Sequence, residues 1–102
     1  MTTLLKKHTL RDEKGSWIGT VILDNYGTIY SYTDYGSFNI YFGSYGFNGD
    51  FDAFICSLDE QYLAKKAHQF SNGYNEKRAQ KWAEMILPLL KEAIKNDPSK
   101  ID

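Results

Sequence analysis

Apolar residues alternate with polar ones through roughly the first forty positions, then recur every three or four, a change from strand to helix period. Residues 3–10 predict a first strand. It is closed by the polar run Arg11-Asp12-Glu13-Lys14-Gly15, whose glycine suits a bulged hairpin turn. Over 17–23 the alternation sets Trp17, Gly19, Val21 and Leu23 against Ile18, Thr20 and Ile22, so this strand is expected to be central and partly covered on both faces. The turn signal Asp24-Asn25-Tyr26-Gly27 follows, and residues 28–34 then place Tyr30 and Tyr32 opposite Ile29, Ser31 and Thr33. Asp34-Tyr35-Gly36 predicts another turn into a fourth strand, 37–43, with Phe38, Ile40 and Phe42 opposite Asn39 and Tyr41. Tyr-Gly pairs at 26–27, 35–36 and 45–46 recur at the length of strand plus turn, with glycine supplying positive φ, as an antiparallel meander requires.

The second half carries the helical period. Asp50 is positioned to cap a short helix through Ser57, with Phe51, Phe54, Ile55 and Leu58 spaced to face the sheet. Ser57-Leu58-Asp59-Glu60 has the spacing of a capping box, which predicts a helix over 58–69 stopped by Ser71-Asn72-Gly73. A last helix starts near Asn75, with Ala79, Trp82, Ala83, Ile86, Leu90, Ala93 and Ile94 as its apolar stripe. Pro88 lies inside it and is expected to kink or divide it. The predicted fold class is α+β: a four-stranded antiparallel meander followed by two or three helices packed on one face. One domain over 1–97 is expected, with 98–102 as a frayed tail after Asp97-Pro98.

Composition narrows the function. With 42% hydrophobic and 25% charged residues in 102, the chain is ordinary globular material, which excludes disordered and collagen-like classes. Its longest apolar run, Met85 to Leu90, is interrupted by Pro88 and too short to span a bilayer, and residues 1–7 hold no secretory h-region. A cytoplasmic location, with no membrane partner, is the expectation. Cys56 is the single cysteine, which excludes an internal disulfide and a cysteine-rich zinc site.

The charge is unevenly spread. From Gly15 to Ala64 there is no Lys, Arg or His, while Asp24, Asp34, Asp50, Asp52, Asp59 and Glu60 supply six carboxylates, and 13 of the 16 aromatics fall in the same stretch. The flanks hold all the basic residues, with a cluster at Lys65, Lys66, Lys77, Arg78 and Lys81. Nucleic acid is therefore not expected on the aromatic half, because phosphate binding needs cations among the aromatics.

No catalytic constellation stands out. Cys56, His8 and His68 match no hydrolase or zinc spacing, and Cys56 reads as a small apolar filler. Asn48-Gly49-Asp50-Phe51-Asp52 holds fragments of an oxygen-ligand loop, but Asp50 reads more simply as a helix cap. Asp34, Asp59 and Glu60 have no nearby cation in sequence to tune them for acid–base work. The expectation is a non-enzyme with no metal and no cofactor.

Leu23-Asp24, Gly27, Tyr32, Asp34-Tyr35-Gly36, Ile40, Phe42-Gly43, Phe51, Phe54-Ile55, Leu58-Asp59, Tyr62-Leu63 and Lys65 together resemble a group of small proteins encoded by bacteriophages and prophages. The chain departs from that pattern in Phe42, where a tryptophan is common, and in Lys65, one position before the pattern's lysine. The resemblance covers roughly residues 17–66. It implies a phage accessory protein in a host bacterial cell and carries over no catalytic residue. Such proteins often block host defence, anti-CRISPR proteins among them, by occupying a partner's functional surface.

Residues and resemblance together lead to two expectations. The first is a phage-type inhibitor that occludes a basic, nucleic-acid-handling host protein, such as a CRISPR effector. Its contact residues would be Asp24, Tyr30, Tyr32, Asp34, Tyr35 and Tyr41, with tyrosines as anchors and carboxylates steering association. The alternative is a small nucleic-acid-binding regulator using the patch Lys65, Lys66, Lys77, Arg78 and Lys81. A homodimer is compatible with both.

Overall fold

Side chains at the start of three tight turns fold the first part of the chain back on itself. Asp12 accepts the amides of Lys14 and Ser16, each at 2.9 Å. Asp24 accepts those of Tyr26 and Thr28 at 2.9 and 3.0 Å. The Thr33 hydroxyl accepts from the Tyr35 amide at 3.0 Å and donates to the Gly36 carbonyl at 2.8 Å. These are the local bonds by which Asp and Thr favour turns over continued strand. The result, in a computed structural model describing residues 5–43, 45–71, 73 and 75–96, is an antiparallel meander. Its strands are β1 (Leu5–Arg11), β2 (Trp17–Asp24), β3 (Thr28–Thr33) and β4 (Gly36–Tyr41), side by side in chain order. Gly27, Gly36 and Gly46 all take positive φ, as the Tyr-Gly spacing predicts.

One register shift matters for function. Pairing passes from Leu10–Gly19 to Arg11–Trp17, leaving Ile18 as the extra residue of a bulge. Simple alternation put Trp17 with Val21 and Leu23; the bulge reverses this. Ile18 is buried with the core, and Trp17 turns to the other face, where its indole N–H donates to the Thr20 hydroxyl at 3.1 Å.

Three helices follow. Asp50 caps α1 (Phe51–Ser57) through the Ala53 amide, as expected. The expected capping box does not form. The Ser57 hydroxyl donates to the Phe54 carbonyl, and Asp59 accepts the Tyr62 amide at 2.7 Å to start α2 (Glu60–Phe70) two residues later than predicted. A carboxylate at the N-terminus also favours the helix dipole, which a serine does not. Asn75 caps α3 (Glu76–Lys95) through the Arg78 amide. Pro88 neither divides α3 nor shortens it. Its ring lies on the exposed side, where water can take the Glu84 carbonyl that the missing N–H leaves unpaired.

All three helices contribute to one core against one face of the sheet. Val21, Ile29 and Ile40 meet Ile55, Leu63, Ile86, Leu90 and Ile94 there, all fully buried. The Trp82 ring packs 4.8 Å from that of Phe38. Phe42, Tyr45, Phe51 and Phe54 form a second aromatic cluster at the β4–α1 corner, with centroid separations from 4.9 Å for Tyr45–Phe51 to 6.1 Å for Phe42–Phe51. Lys6 on β1 reaches Asp52 on α1 at 2.8 Å, and the Lys91 ammonium donates to the Leu58 carbonyl at 2.5 Å. The tail 98–102, the start of the predicted strand 3–10 and Asn72 of the predicted stop lie outside the described residues. Among the described residues no helix is long and apolar enough to cross a membrane.

Candidate functional site

The helices occupy one face of the sheet, and the residues on the other follow from strand pairing. Lys7, Ile22, Tyr30 and Asn39 form one row across it, and Thr9, Thr20, Tyr32 and Ser37 the next. Arg11 sits opposite Trp17 at the β1–β2 end, and Tyr41 opposite Thr28 on β4. Tyr30, Tyr32 and Tyr41 are 42%, 67% and 55% exposed, so the protein's own last helix does not cover them. Trp17 and Tyr32 lie with ring centroids 5.6 Å apart and planes tilted by 45°. This is a broad aromatic surface on a rigid sheet, set among short polar side chains.

Its charge differs from the sequence expectation. Asp24 is only 7% exposed, and besides two amides it accepts the Tyr30 hydroxyl at 3.2 Å. It builds the β2–β3 turn and holds one ring of the face in position, so it is not free to meet a partner. Asp50 and Asp59 cap helices, and Asp52 pairs with Lys6. Four of the six carboxylates thus have structural partners, two of them, Asp24 and Asp52, being buried; Asp34 in the β3–β4 turn and Glu60 on α2 are exposed. On the tyrosine face itself stand two cations, Lys7 and Arg11, brought there by β1; the Arg11 guanidinium also donates to the Gly15 carbonyl at 3.1 Å.

Tyr35 leaves the group as well. It is half-buried on the helix side, where its carbonyl accepts from the Arg78 guanidinium at 3.3 Å and the Lys81 ammonium stands 6.0 Å over its ring. Lys66 likewise sits 5.9 Å over the Tyr62 ring. The structure therefore brings together Tyr30, Tyr32 and Tyr41, sets Asp24 and Tyr35 apart, and adds Trp17, Lys7 and Arg11. Of the basic helical patch, Arg78, Lys81 and Lys66 lie near carbonyl or aromatic groups of the protein, and Lys65, Lys77, Arg78 and Lys81 are all exposed.

Replacing Asp24 by alanine is expected to lower stability by about 2–3 kcal/mol, because two amides and a phenol lose a charged acceptor. Chemical denaturation checks this; a loss below about 0.5 kcal/mol, the level of an ordinary surface change, would contradict the structural role.

Cys56 is half-buried in α1, His8 is buried on β1, and His68 is exposed near the end of α2. Among the described residues no group of three or more His, Cys, Asp or Glu side chains is placed to hold a metal ion. A small cleft of about 160 Å³ between Lys6, Asp24, Asp50 and Asp52 is lined by carboxylates already used as turn, cap and ion-pair partners.

A family model described as a phage family, Phage_phiTE_072, matches residues 2–78. The chain belongs to this phage family. No curated protein and no solved structure matches it. The matched residues of the phage protein contain the whole sheet, α1, α2 and the first turn of α3, so every residue of the open face lies within the family region.

One titration marks the corner beside this face. The Tyr45 hydroxyl lies 3.2 and 3.0 Å from the carbonyls of Asn25 and Gly49. Burial, with the carboxylates of Asp50 and Asp24 adding to it, pushes its pKa above the ordinary 10.0. The folded state therefore holds this proton more tightly than the unfolded chain. The associated stability is complete below pH 10.0 and is lost as pH rises through the folded value. Thermal melts across this alkaline range are expected to show Tm falling less steeply in Tyr45→Phe than in the parent; parallel curves would contradict it.

Proposed function

We propose that the phage protein works by binding rather than by catalysis, with the open face of the sheet as its contact surface. The observation that carries this reading is the exposure, on one rigid face, of Tyr30, Tyr32 and Tyr41 beside Trp17 and Arg11. Tryptophan, tyrosine and arginine are the residues that dominate binding hot spots, and the two aromatics bury much area at little cost in rotamer entropy. Backbone held by four paired strands adds little further ordering cost on association.

Occlusion of a basic host defence protein, such as a CRISPR effector, would need tyrosines and carboxylates on one surface. The engagement of Asp24, Asp50, Asp52 and Asp59 within the fold weakens that version. Lys7 and Arg11 favour a partner that presents negative charge to the β1 side.

The test is a pull-down from bacterial lysate with the parent and a Tyr30→Ala/Tyr32→Ala double variant, with and without nuclease. Whatever species the parent retains is expected to be lost from the double variant. Equal retention by both would overturn the assignment of the face.

A further inference from the structure

We infer that the occupant of the open face is single-stranded nucleic acid, its bases lying on Trp17, Tyr30 and Tyr32 and its phosphates along Lys7 and Arg11. This rests on the reading of that face as the contact surface and adds the chemistry of the partner.

Three observations converge. First, β1 supplies the cations that the sequence between Gly15 and Ala64 lacks, and supplies them on the aromatic side of the sheet. Lys7 and Arg11 are four residues apart on one strand, about 13 Å, which suits alternate phosphates of an extended backbone running along β1. Second, β3 lies two strand spacings away, about 10 Å, so bases projecting across β2 reach Tyr30 and Tyr32. Tyr32 is 67% exposed and Trp17 packs at its edge, which leaves ring surface open to a planar base. Third, of the two carboxylates at the ends of this face, Asp24 at the β2–β3 turn is buried and bonded to Tyr30 and the turn amides, which leaves Asp34 at the β3–β4 turn as the exposed one.

Unpaired bases offer their faces for stacking, whereas a duplex hides them; exposed rings interleaved with cations are therefore built for a single strand. An acidic protein could also use these rings as anchors, and it is the outcome that the probes below separate from a single strand. The basic helical patch is exposed as well, and variants at Lys77, Arg78 and Lys81 distinguish it from the sheet face.

The experiment uses the purified full chain and fluorescently labelled oligothymidylate and oligouridylate, read by anisotropy over a series of salt concentrations. Saturable binding to at least one probe is expected. The slope of log affinity against log salt should be near −1.4, as two phosphate contacts on a single strand imply. Tyr32→Ala should weaken binding roughly 5- to 100-fold, the range for loss of one stacked base. Replacing Lys7 and Arg11 together by glutamine should flatten the salt slope. Circular dichroism of each variant confirms the fold, and Trp17→Phe should remove any quenching of indole emission, since Trp82 is enclosed.

No saturable binding to either probe overturns the inference. So does equal affinity for a duplex with no effect of Tyr32→Ala, which would mean attraction by charge alone. Loss of binding only on removing Lys77, Arg78 and Lys81 would overturn it too. If both probes fail while a nuclease-resistant protein is still lost from the Tyr30→Ala/Tyr32→Ala variant in the pull-down, the contact surface stands and its nucleic-acid partner does not.

Discussion

Replacing Trp82 by alanine is expected to remove about 3–5 kcal/mol of stability, the usual cost of emptying a large aromatic site in a core. The indole is fully buried between α3 and the sheet, with its ring 4.8 Å from that of Phe38. The buried core around it, Ile29, Ile40 and Ile86 included, is held by elements that cannot collapse into the space without giving up their own contacts. Small domains hold only about 5–15 kcal/mol in total, so the variant should be largely unfolded at modest urea concentrations. Trp82→Phe is the informative companion. It keeps a ring against Phe38 and removes an indole N–H that has no hydrogen-bond partner among the described residues. Its cost should be clearly smaller, about 1–2 kcal/mol. Urea titrations of the three proteins decide this; equal losses for the two variants would show that the indole's shape, not its volume, is what the core requires.

The second large effect is expected at Gly27. Its φ is 96°, and a Cβ there would lie 2.9 Å from the Tyr45 ring and 3.1 Å from the Gly43 carbonyl oxygen. Gly15 has a comparable φ of 85° but nothing within 4 Å of the same position. Gly15→Ala should therefore cost only the strain of a left-handed residue, about 1 kcal/mol. Gly27→Ala should cost about 2–4 kcal/mol, because steric conflict is added to the strain. Equal losses in the two variants would mean that the β2–β3 turn gives way without resistance, against the bonds that Asp24 and Tyr45 make there.

Much of this architecture was readable in advance, and the reasons are local. Tyr-Gly at the β2–β3 and β3–β4 turns, Asp50 and Asn75 at helix starts, and the apolar stripe of the last helix are signals carried by neighbouring residues. The misreadings came where geometry depends on residues far away. The bulge at Ile18 is set by pairing with β1, and without it the period of two assigns Trp17 to the wrong face. Ser57 and Asp59 are both good caps; packing of Leu58 into the core chose between them. Asp24 looked like surface charge because its burial is created by the turn it builds. Lys7 and Arg11 were missed as members of the aromatic face because they precede the tyrosines by about twenty residues. The alternation of Lys7, Thr9 and Arg11 with His8 and Leu10 carried the signal that they share one side.

The order of elements has a consequence for synthesis. Each strand pairs with its immediate successor, so the sheet can zip up by short loop closures as it leaves the ribosome. The helix that packs against β1 and β2 is α3, the last of the described elements. While ribosomes are still adding that segment, the apolar side holding Leu10, Ile18, Val21 and Leu23 lacks its cover. A nascent chain paused between α2 and α3 is therefore the form of this protein most exposed to chaperones, to proteases and to pairing with its own copies.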